Sequence, residues 1–274
     1  MMTKCQICPR GCVLEDGQAG FCRGRENVDG VIICANYGKL TAIALDPIEK
    51  KPLSRFMPQS KILSVGSYGC NLRCPFCQNH RISMSDDKIA TIKTSPAELA
   101  QKAVELSDKG NVGVAYTYNE PLIGYEFVRD CSVEVRKRGL VNVLVTNGYI
   151  CERPLRELLP YIDAMNIDLK SFSGVFYRKI DGDLESVKQT ISIAQESCHV
   201  EITTLIIPGE NDSENEMEQL SLWLSSLDPN IPLHISRFFP QYKWTHLPPT
   251  PVETIYSLAE TARKKLQHVF IGNV

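Results

Sequence analysis

The sequence lacks the features that mark nucleic-acid-binding, membrane and secreted proteins. Lys and Arg number 30 against 32 Asp and Glu, a formal net charge of -2, so no positive excess is available for a phosphate backbone. No apolar run approaches the roughly 20 residues that a bilayer-spanning helix needs. Residues 1–10 contain no apolar core of a signal peptide. We therefore expect a cytoplasmic protein without a nucleic-acid or membrane partner.

Low-complexity tracts and sequence repeats are also missing, and the composition, 43% hydrophobic and 23% charged, is typical of globular proteins. Residues 1–58 are rich in Cys, Gly, Lys and Arg, and Pro47, Pro52 and Pro58 interrupt regular structure where this stretch ends. We predict a small Cys-rich N-terminal module over residues 1–58 and a larger domain over residues 59–274.

Short β-type runs alternate with amphipathic helical stretches from residue 61 onward. Two helix starts carry a capping residue, a proline and a glutamate in sequence, Ser95-Pro96-Ala97-Glu98 and Thr250-Pro251-Val252-Glu253. Such alternation predicts an α/β fold with parallel strands joined by crossover helices, either an open doubly wound sheet or a full or partial (β/α) barrel. The six predicted strands are residues 62–67, 112–117, 141–146, 164–169, 200–207 and 233–238.

Cysteine is the outlier of the composition, with 11 residues, an odd number. Without a secretory signal a disulfide framework is not expected, so clustered cysteines indicate metal ligands. Scattered cysteines are more often small buried hydrophobic residues. The two groups are Cys5, Cys8, Cys12 and Cys22, called here the N-terminal cysteines, and Cys70, Cys74 and Cys77, the loop cysteines; Cys34, Cys131, Cys151 and Cys198 are scattered.

The loop cysteines follow the first predicted strand with the spacing C-x3-C-x2-C. Three thiolates on one loop can hold three irons of a [4Fe-4S] cluster, which leaves the fourth iron without a protein ligand. An open coordination position is typical of a catalytic metal rather than a structural one. The alternative is a structural zinc loop.

This stretch resembles the signature of the radical S-adenosylmethionine (SAM) superfamily. The resemblance implies that SAM binds the open iron. It also implies that an electron, from a donor such as flavodoxin or ferredoxin, cleaves SAM to methionine and a 5′-deoxyadenosyl radical. Phe76, between the second and third loop cysteines, is then among the residues near the cofactor. The protein would hold the reactive carbon against one C–H bond of a substrate.

Polar residues at later strand ends fit the same site, because sites of such barrels lie at the carboxyl ends of strands. Asn119 and Glu120 occupy the place of the family's Gly-Gly-Glu-like loop, which binds the methionine amino group of SAM. Tyr118 and Asn119 replace the two glycines. The alternative for Glu120 is a residue that favours a helix N-terminus.

Three further strand ends resemble pyruvate formate-lyase activating enzymes. The resemblance places Thr146 and Asn147 near SAM, and Asp168 and Lys170 on one face of a strand in the same pocket. An ordinary ion pair is the alternative for the last two. His234 is the candidate for a SAM-contacting histidine. The alternatives are a hydrogen-bonded core histidine and a shift of the matching position by three residues to Arg237.

The N-terminal cysteines give four thiolates within 18 residues, a closed set that suits either tetrahedral zinc or a second iron–sulfur cluster. Zinc is favoured here, because a small module gains folding free energy from it.

The chain as a whole resembles the AmmeMemoRadiSam-system radical SAM enzymes. The resemblance implies a partial (β/α)6 TIM-type barrel and an oxidoreductase that abstracts hydrogen from a substrate, as the activase of a glycyl-radical enzyme with a protein substrate. The alternatives are modification of a metabolite or peptide and, outside enzymes, a structural zinc-binding interaction protein. The residues that carry this resemblance are 5–12, 20–22, 46–53, 234–240 and 272–274.

Overall fold

The computed structural model describes residues 1–274 and contains 14 strands and eight α-helices. The strands of the first 60 residues are β1 Thr3–Lys4, β2 Val13–Leu14, β3 Arg25–Val28, β4 Val31–Cys34, β5 Lys39–Leu40 and β6 Ala42–Pro47. The later strands are β7 Lys61–Gly66, β8 Ile92–Lys93, β9 Asn111–Tyr116, β10 Val141–Thr146, β11 Ala164–Asp168, β12 His199–Ile206, β13 Leu233–Arg237 and β14 Val269–Gly272. The helices are α1 His80–Ser83, α2 Pro96–Glu105, α3 Tyr125–Lys137, α4 Glu152–Leu158, α5 Gly174–Lys179, α6 Leu184–Ala194, α7 Glu214–Leu227 and α8 Val252–Arg263.

Eight strands form the main sheet in the order β14-β13-β12-β11-β10-β9-β7-β6. All neighbours from β7 to β14 pair in parallel, and β6 pairs antiparallel with β7 at one edge. The six predicted strands are confirmed, and the prediction missed β6 and β14. Because β6 and β14 lie at opposite edges and do not pair, the sheet is a partial barrel.

The starts of α2 and α8 show that a local sequence signal determines the cap of one helix and that a tertiary contact prevents the expected cap of the other. At α2, Ser95 and Glu98 form the predicted capping box with each other's backbone N–H groups. The prediction that Thr250 caps α8 is wrong. The hydroxyl of Thr250 donates instead to the carbonyl of Ile206 at 2.6 Å, and α8 begins without a side-chain cap.

The segment of residues 52–56 closes the amino end of the barrel. The side chain of Asn166 on β11 donates to the carbonyl of Pro52 at 2.8 Å. Glu201 on β12 accepts from the backbone N–H groups of Ser54 and Arg55 at 2.9 and 2.8 Å. These contacts hold the segment against β11 and β12, and Pro52 and Ser54 line the cavity described below.

The first 60 residues form two hairpins, β1–β2 and β3–β4, followed by β6 in the main sheet. The domain boundary at residue 58 stays a prediction. The strand β6, which lies before this boundary, already pairs with β7 in the main sheet. None of the helices combines the length and the apolar character that a bilayer crossing requires.

Candidate functional site

A cavity of about 1180 Å³ opens at the carboxyl ends of the parallel strands. It is lined by the loop cysteines and by every residue that the sequence analysis placed near SAM. The structure thus brings residues from the ends of β9, β10 and β11, one residue of β13 and the loop after β7 to one surface. The predicted residues on this surface are Phe76, Asn119, Glu120, Thr146, Asn147, Asp168, Lys170 and His234.

The loop after β7 presents three thiols, and the sulfurs of Cys70 and Cys77 lie near hydrogen-bond donors. The Sγ of Cys70 accepts from the backbone N–H of Leu72 at 3.4 Å and lies 3.7 Å from the side-chain nitrogen of Asn147. The Sγ of Cys77 lies 3.4 Å from the hydroxyl of Ser83. N–H groups directed at sulfur stabilise a thiolate, so the loop is prepared for the charged form of its ligands.

Burial nevertheless favours the protonated form of Cys70 and Cys74 while no metal is bound. Burial raises the pKa of Cys70 well above its usual value and that of Cys74 to about 12. A metal ion replaces the proton and removes this penalty. Three cysteine thiols on one loop, with no fourth cysteine lining the same cavity, are a donor set that fits an iron–sulfur cluster with an open position.

Asn119 supports the start of the loop. Its side-chain oxygen accepts from the N–H of Ser67 at 2.9 Å, and its nitrogen donates to the carbonyls of Tyr68 and Gly69 at 3.2 and 3.0 Å. Tyr118 before it has a φ of 70°, the left-handed region that favours glycine. The backbone at position 118 therefore keeps a glycine-like conformation with a tyrosine side chain.

Glu120 is a buried carboxyl at the end of β9. It accepts from the hydroxyl of Thr146 at 2.7 Å, from the N–H of Asn147 at 2.8 Å and from the N–H of Leu122 at 3.0 Å. Burial raises its pKa to about 7, while these hydrogen bonds lower the pKa against that effect. Glu120 thus joins the ends of β9 and β10 and titrates near neutral pH.

Asp168 and Lys170 form an ion pair, with 2.9 Å between the Lys170 Nζ and an Asp168 carboxylate oxygen. Burial alone would lower the pKa of Lys170, but the charge of Asp168 outweighs it and the pKa is raised. The ammonium also lowers the pKa of the neighbouring Cys74. A permanent positive charge therefore stands beside the loop cysteines.

His234 is held by a carboxylate that the sequence analysis missed. Its Nε2 lies 2.6 Å from Glu201, whose second oxygen lies 2.9 Å from the Nε2 of His199. Burial would raise the pKa of Glu201, yet these hydrogen bonds and two from backbone N–H groups lower it to about 2. The available signal was a lone acidic residue inside the apolar run 200–207.

Phe76 is buried and packs against two aromatic rings, Phe176 at 6.1 Å and Trp244 at 5.3 Å between centroids. It anchors the loop between the second and third thiols to the barrel wall.

The N-terminal cysteines line a second, enclosed cavity of about 10 Å³ together with Arg10, Arg25 and Asn71. Charge on Cys5 or Cys22 would raise the pKa of Cys8, which burial already raises to about 12. The four thiols therefore line one common space. As they stand, no three His, Cys, Asp or Glu side chains of the chain are gathered to hold a metal ion.

The two cysteine groups are in direct contact. The backbone N–H of Cys70 donates to the carbonyl of Cys22 at 3.1 Å. Gly69 has a φ of 86°, and a Cβ at this position would lie 2.3 Å from the same carbonyl oxygen. Only glycine fits there, so the N-terminal module is fixed against the loop.

Residues 64–220 match the family model described as Radical SAM superfamily. Over 277 residues, 99% of this chain and 81% of the relative, the sequence is 42% identical to the uncharacterized protein MJ0808 of Methanocaldococcus jannaschii. It is 26% identical to pyruvate formate-lyase 1-activating enzyme of Escherichia coli over 160 residues, which is 56% of this chain and 63% of that enzyme.

Solved structures share the fold. A domain of the pyruvate-formate lyase-activating enzyme from Bacteroides vulgatus superposes with a TM-score of 0.51 at 22% identity, covering 59% of this chain and 99% of that domain. Streptococcus suis SuiB bound to precursor peptide SuiA superposes with a TM-score of 0.59 at 12% identity, covering 83% of this chain and 51% of SuiB.

Proposed function

The chain belongs to the radical SAM superfamily, and from this premise we propose that its loop cysteines hold a [4Fe-4S] cluster at which SAM is reductively cleaved. When bound, the cluster supplies the electron that splits SAM into methionine and a 5′-deoxyadenosyl radical. One observation carries the proposal. The loop cysteines, and no other cysteine of the chain, line a cavity of about 1180 Å³, enough for a cofactor and a substrate.

Glu120 would bind the amino group of SAM. A carboxylate offers about four acceptor positions, and the structure uses three of them for Thr146, Asn147 and Leu122. The remaining position is available to an ammonium group. The three internal hydrogen bonds fix the carboxylate in place before SAM arrives, which lowers the entropy lost on binding.

Asp168, Lys170 and His234 would order the rest of SAM. The Lys170 ammonium is a donor for the SAM carboxylate, and Asp168 is an acceptor for ribose hydroxyls. Glu201 holds His234 in one orientation through Nε2, which leaves Nδ1 as the free ring nitrogen. Asn147 completes the set, because its side chain lies beside the Cys70 sulfur.

For the substrate we propose a glycine residue of a partner protein, whose Cα hydrogen is transferred to the radical carbon in an oxidoreductase step. The similarity to pyruvate formate-lyase activating enzymes supports this choice. A one-electron carrier such as flavodoxin or ferredoxin would supply the electron in the cytoplasm. The second candidate is a peptide or metabolite substrate. Streptococcus suis SuiB, which shares this fold and was solved bound to a precursor peptide, supports the peptide alternative.

The cofactor chemistry is tested by anaerobic reconstitution with iron and sulfide, followed by SAM and dithionite. We expect a brown protein that forms 5′-deoxyadenosine, and loss of this product in Cys74→Ala but not in Cys198→Ser, a cysteine outside both groups. Product formation by Cys74→Ala at the wild-type rate would contradict the ligand assignment. A colourless protein that binds zinc without cleaving SAM would support the structural alternative.

The substrate class is tested by isotope transfer. The enzyme is incubated with extracts of cells grown on glycine deuterated at Cα, separated into protein and small-molecule fractions. Deuterium in 5′-deoxyadenosine from the protein fraction supports the glycine proposal. Deuterium transfer from the small-molecule fraction alone would replace it with the metabolite alternative.

A further inference from the structure

We infer that Tyr118, through its hydrogen bond to Asp46, is a positioning residue that holds the 118–120 segment in place for SAM. This segment contains Glu120. The inference rests on the proposed function in one respect, which is the binding of the SAM amino group by Glu120. It goes beyond the family resemblance, because the resembling loop carries glycine where this chain has tyrosine.

The first observation is a hydrogen bond that crosses from the end of β9 to the edge strand β6. The Tyr118 hydroxyl donates to a carboxylate oxygen of Asp46 at 2.7 Å. The same oxygen accepts from the Lys51 ammonium at 2.8 Å, and the Lys51 side chain is only 3% exposed. The ammonium also lies over the Tyr118 ring, 4.6 Å from its centroid. The tyrosine is therefore held at its hydroxyl and at one face of its ring.

The charge on Asp46 strengthens this bond. Burial would raise the pKa of Asp46, but the hydrogen bonds from Lys51 and Tyr118 lower it to about 2. Burial, together with the nearby Asp46, raises the pKa of Tyr118 to about 12. Near neutral pH, Asp46 is thus an ionised acceptor and Tyr118 a protonated donor. Hydrogen bonds to ionised groups are shorter and stronger than neutral ones.

The second observation is that the 118–120 segment contacts both ends of the loop that carries the three cysteines. The side chain of Asn79, after the third loop cysteine, donates to the Tyr118 carbonyl at 2.8 Å. The side chain of Asn119 bonds to residues 67–69, before the first loop cysteine. The position of this segment therefore sets where Glu120 lies relative to the loop cysteines.

The third observation is the backbone of Tyr118. Its φ of 70° lies in the left-handed region, which is unfavourable for a residue that has a Cβ. Such a conformation persists only where surrounding contacts hold it, and it is most frequent at functional sites. Gly66 at the end of β7 provides the space, since a Cβ there would lie 2.9 Å from the Tyr118 Cβ. The bonds to Asp46 and from Asn79 hold the residue in this conformation.

The consequence for SAM follows from where the segment is attached. Glu120 is bonded to the end of β10 through Thr146 and Asn147, and Tyr118 ties the same segment to β6. Without the tyrosine hydroxyl, part of this order would have to be created when SAM binds. Ordering a segment on binding lowers affinity, and a segment that is already ordered avoids this loss. Tyr118 thus acts on SAM through Glu120.

SAM binding to the cluster-loaded enzyme tests the inference. Tyr118→Phe keeps the ring and loses the hydroxyl, and we expect its dissociation constant for SAM to rise about tenfold. Tyr118→Gly restores the glycine of the related loop and relieves the backbone, but it loses the bond to Asp46. It should bind SAM at least as weakly as Tyr118→Phe. Equilibrium dialysis measures both constants.

Tyr125→Phe is the matched control. The Tyr125 hydroxyl donates to the Glu157 carboxylate at 3.0 Å, and the Arg129 guanidinium lies 5.8 Å from the ring centroid. This tyrosine does not line the SAM cavity. We expect Tyr125→Phe and Tyr118→Phe to lower the midpoint of urea unfolding by similar amounts, and only Tyr118→Phe to weaken SAM binding. A merely structural role of Tyr118 would make the two variants alike in SAM affinity as well.

The pH profile is a second readout. Neither Asp46 nor Tyr118 titrates between about pH 6 and 8.5, because their pKa values are about 2 and about 12. Tyr118→Phe should therefore weaken SAM binding by the same factor at both ends of this range. A loss confined to one end would mean that the hydroxyl acts by changing the titration of Glu120 instead of its position, which contradicts the inference.

Wild-type SAM affinity in Tyr118→Phe or in Tyr118→Gly would overturn the inference and leave the role of Glu120 standing. SAM affinity that Glu120→Gln also leaves unchanged would overturn both the role of Glu120 and the inference that rests on it. The two failures are thus distinguished. Tyr118→Phe removes a single oxygen atom, and urea unfolding of the unloaded protein shows that it folds before any SAM measurement.

Discussion

The loop cysteines and the N-terminal cysteines lie back to back, yet they face opposite environments. The first group has three thiols on a cavity of about 1180 Å³, and the second has four thiols around about 10 Å³. As metal ligands, three thiols on an open cavity would leave room for a reactant, whereas four thiols around an enclosed space would leave none. In this chain the group with three thiols is open to a reactant, and the group with four thiols is not.

The largest expected difference between the groups concerns catalysis. Cys77→Ala should lower 5′-deoxyadenosine formation by at least about 10³-fold, a loss of about 4 kcal/mol of transition-state stabilisation. Cys12→Ala should lower it less than about tenfold, because that thiol lies outside the SAM cavity. The rates are measured by chromatography under dithionite. Equal losses of activity in both variants would mean that both cysteine groups are required for SAM cleavage.

Gly69 joins the two groups, and Gly69→Ala should destabilise both. The variant combines a left-handed backbone with a Cβ at 2.3 Å from the Cys22 carbonyl, for about 4 kcal/mol in total. Gly110 is a matched control, because it has the same φ of 86° with open space around it. Gly110→Ala should cost about 1 kcal/mol. Urea unfolding monitored by tryptophan fluorescence compares the two variants. Similar losses in the free energy of unfolding would show that the contact between residue 69 and the Cys22 carbonyl adjusts to a Cβ at no cost.

The floor of the open cavity depends on Glu201. Glu201→Ala leaves two backbone N–H groups and two histidines without their acceptor, and should lower the free energy of unfolding by about 3 kcal/mol. Glu210→Ala, which removes a surface pair with Lys179, should cost less than about 1 kcal/mol. The same urea experiment measures both. A small effect at Glu201 would mean that the barrel floor is held by other contacts.

The smallest effect expected is a pH dependence confined to the open cavity. The Glu120 carboxyl has a pKa raised to about 7, so above this pH it is ionised and can bind the SAM ammonium. Below this pH it becomes neutral, and SAM affinity should fall by up to about tenfold per pH unit. Equilibrium dialysis with the loaded enzyme from pH 6 to 8.5 measures this. Glu120→Gln should flatten the profile, and a flat wild-type profile would exclude the role of Glu120.

Sequence reasoning located most of the open cavity, because strand ends and cysteine spacing are local signals. It found the six central strands, and the residues that it predicted near SAM all line one surface. It missed Glu201, whose role depends on a segment almost 150 residues earlier in the chain. The Thr250 cap failed for the same reason, since a carbonyl of β12 takes its hydroxyl.

The closed group was located but its metal was not decided, because spacing within 18 residues is the same for zinc and for a cluster. The edge strand β14 was missed because its four residues are too few to show a pattern.

The contact between Gly69 and the Cys22 carbonyl has a consequence for how these sequences diverge and recombine. Consider a hybrid that joins the first 58 residues of one relative to the barrel of another. Its backbone around Cys22 would have to fit closely against the backbone around Gly69. Such a hybrid should fold poorly unless the turn around Cys22 and the loop around Gly69 are inherited as a pair.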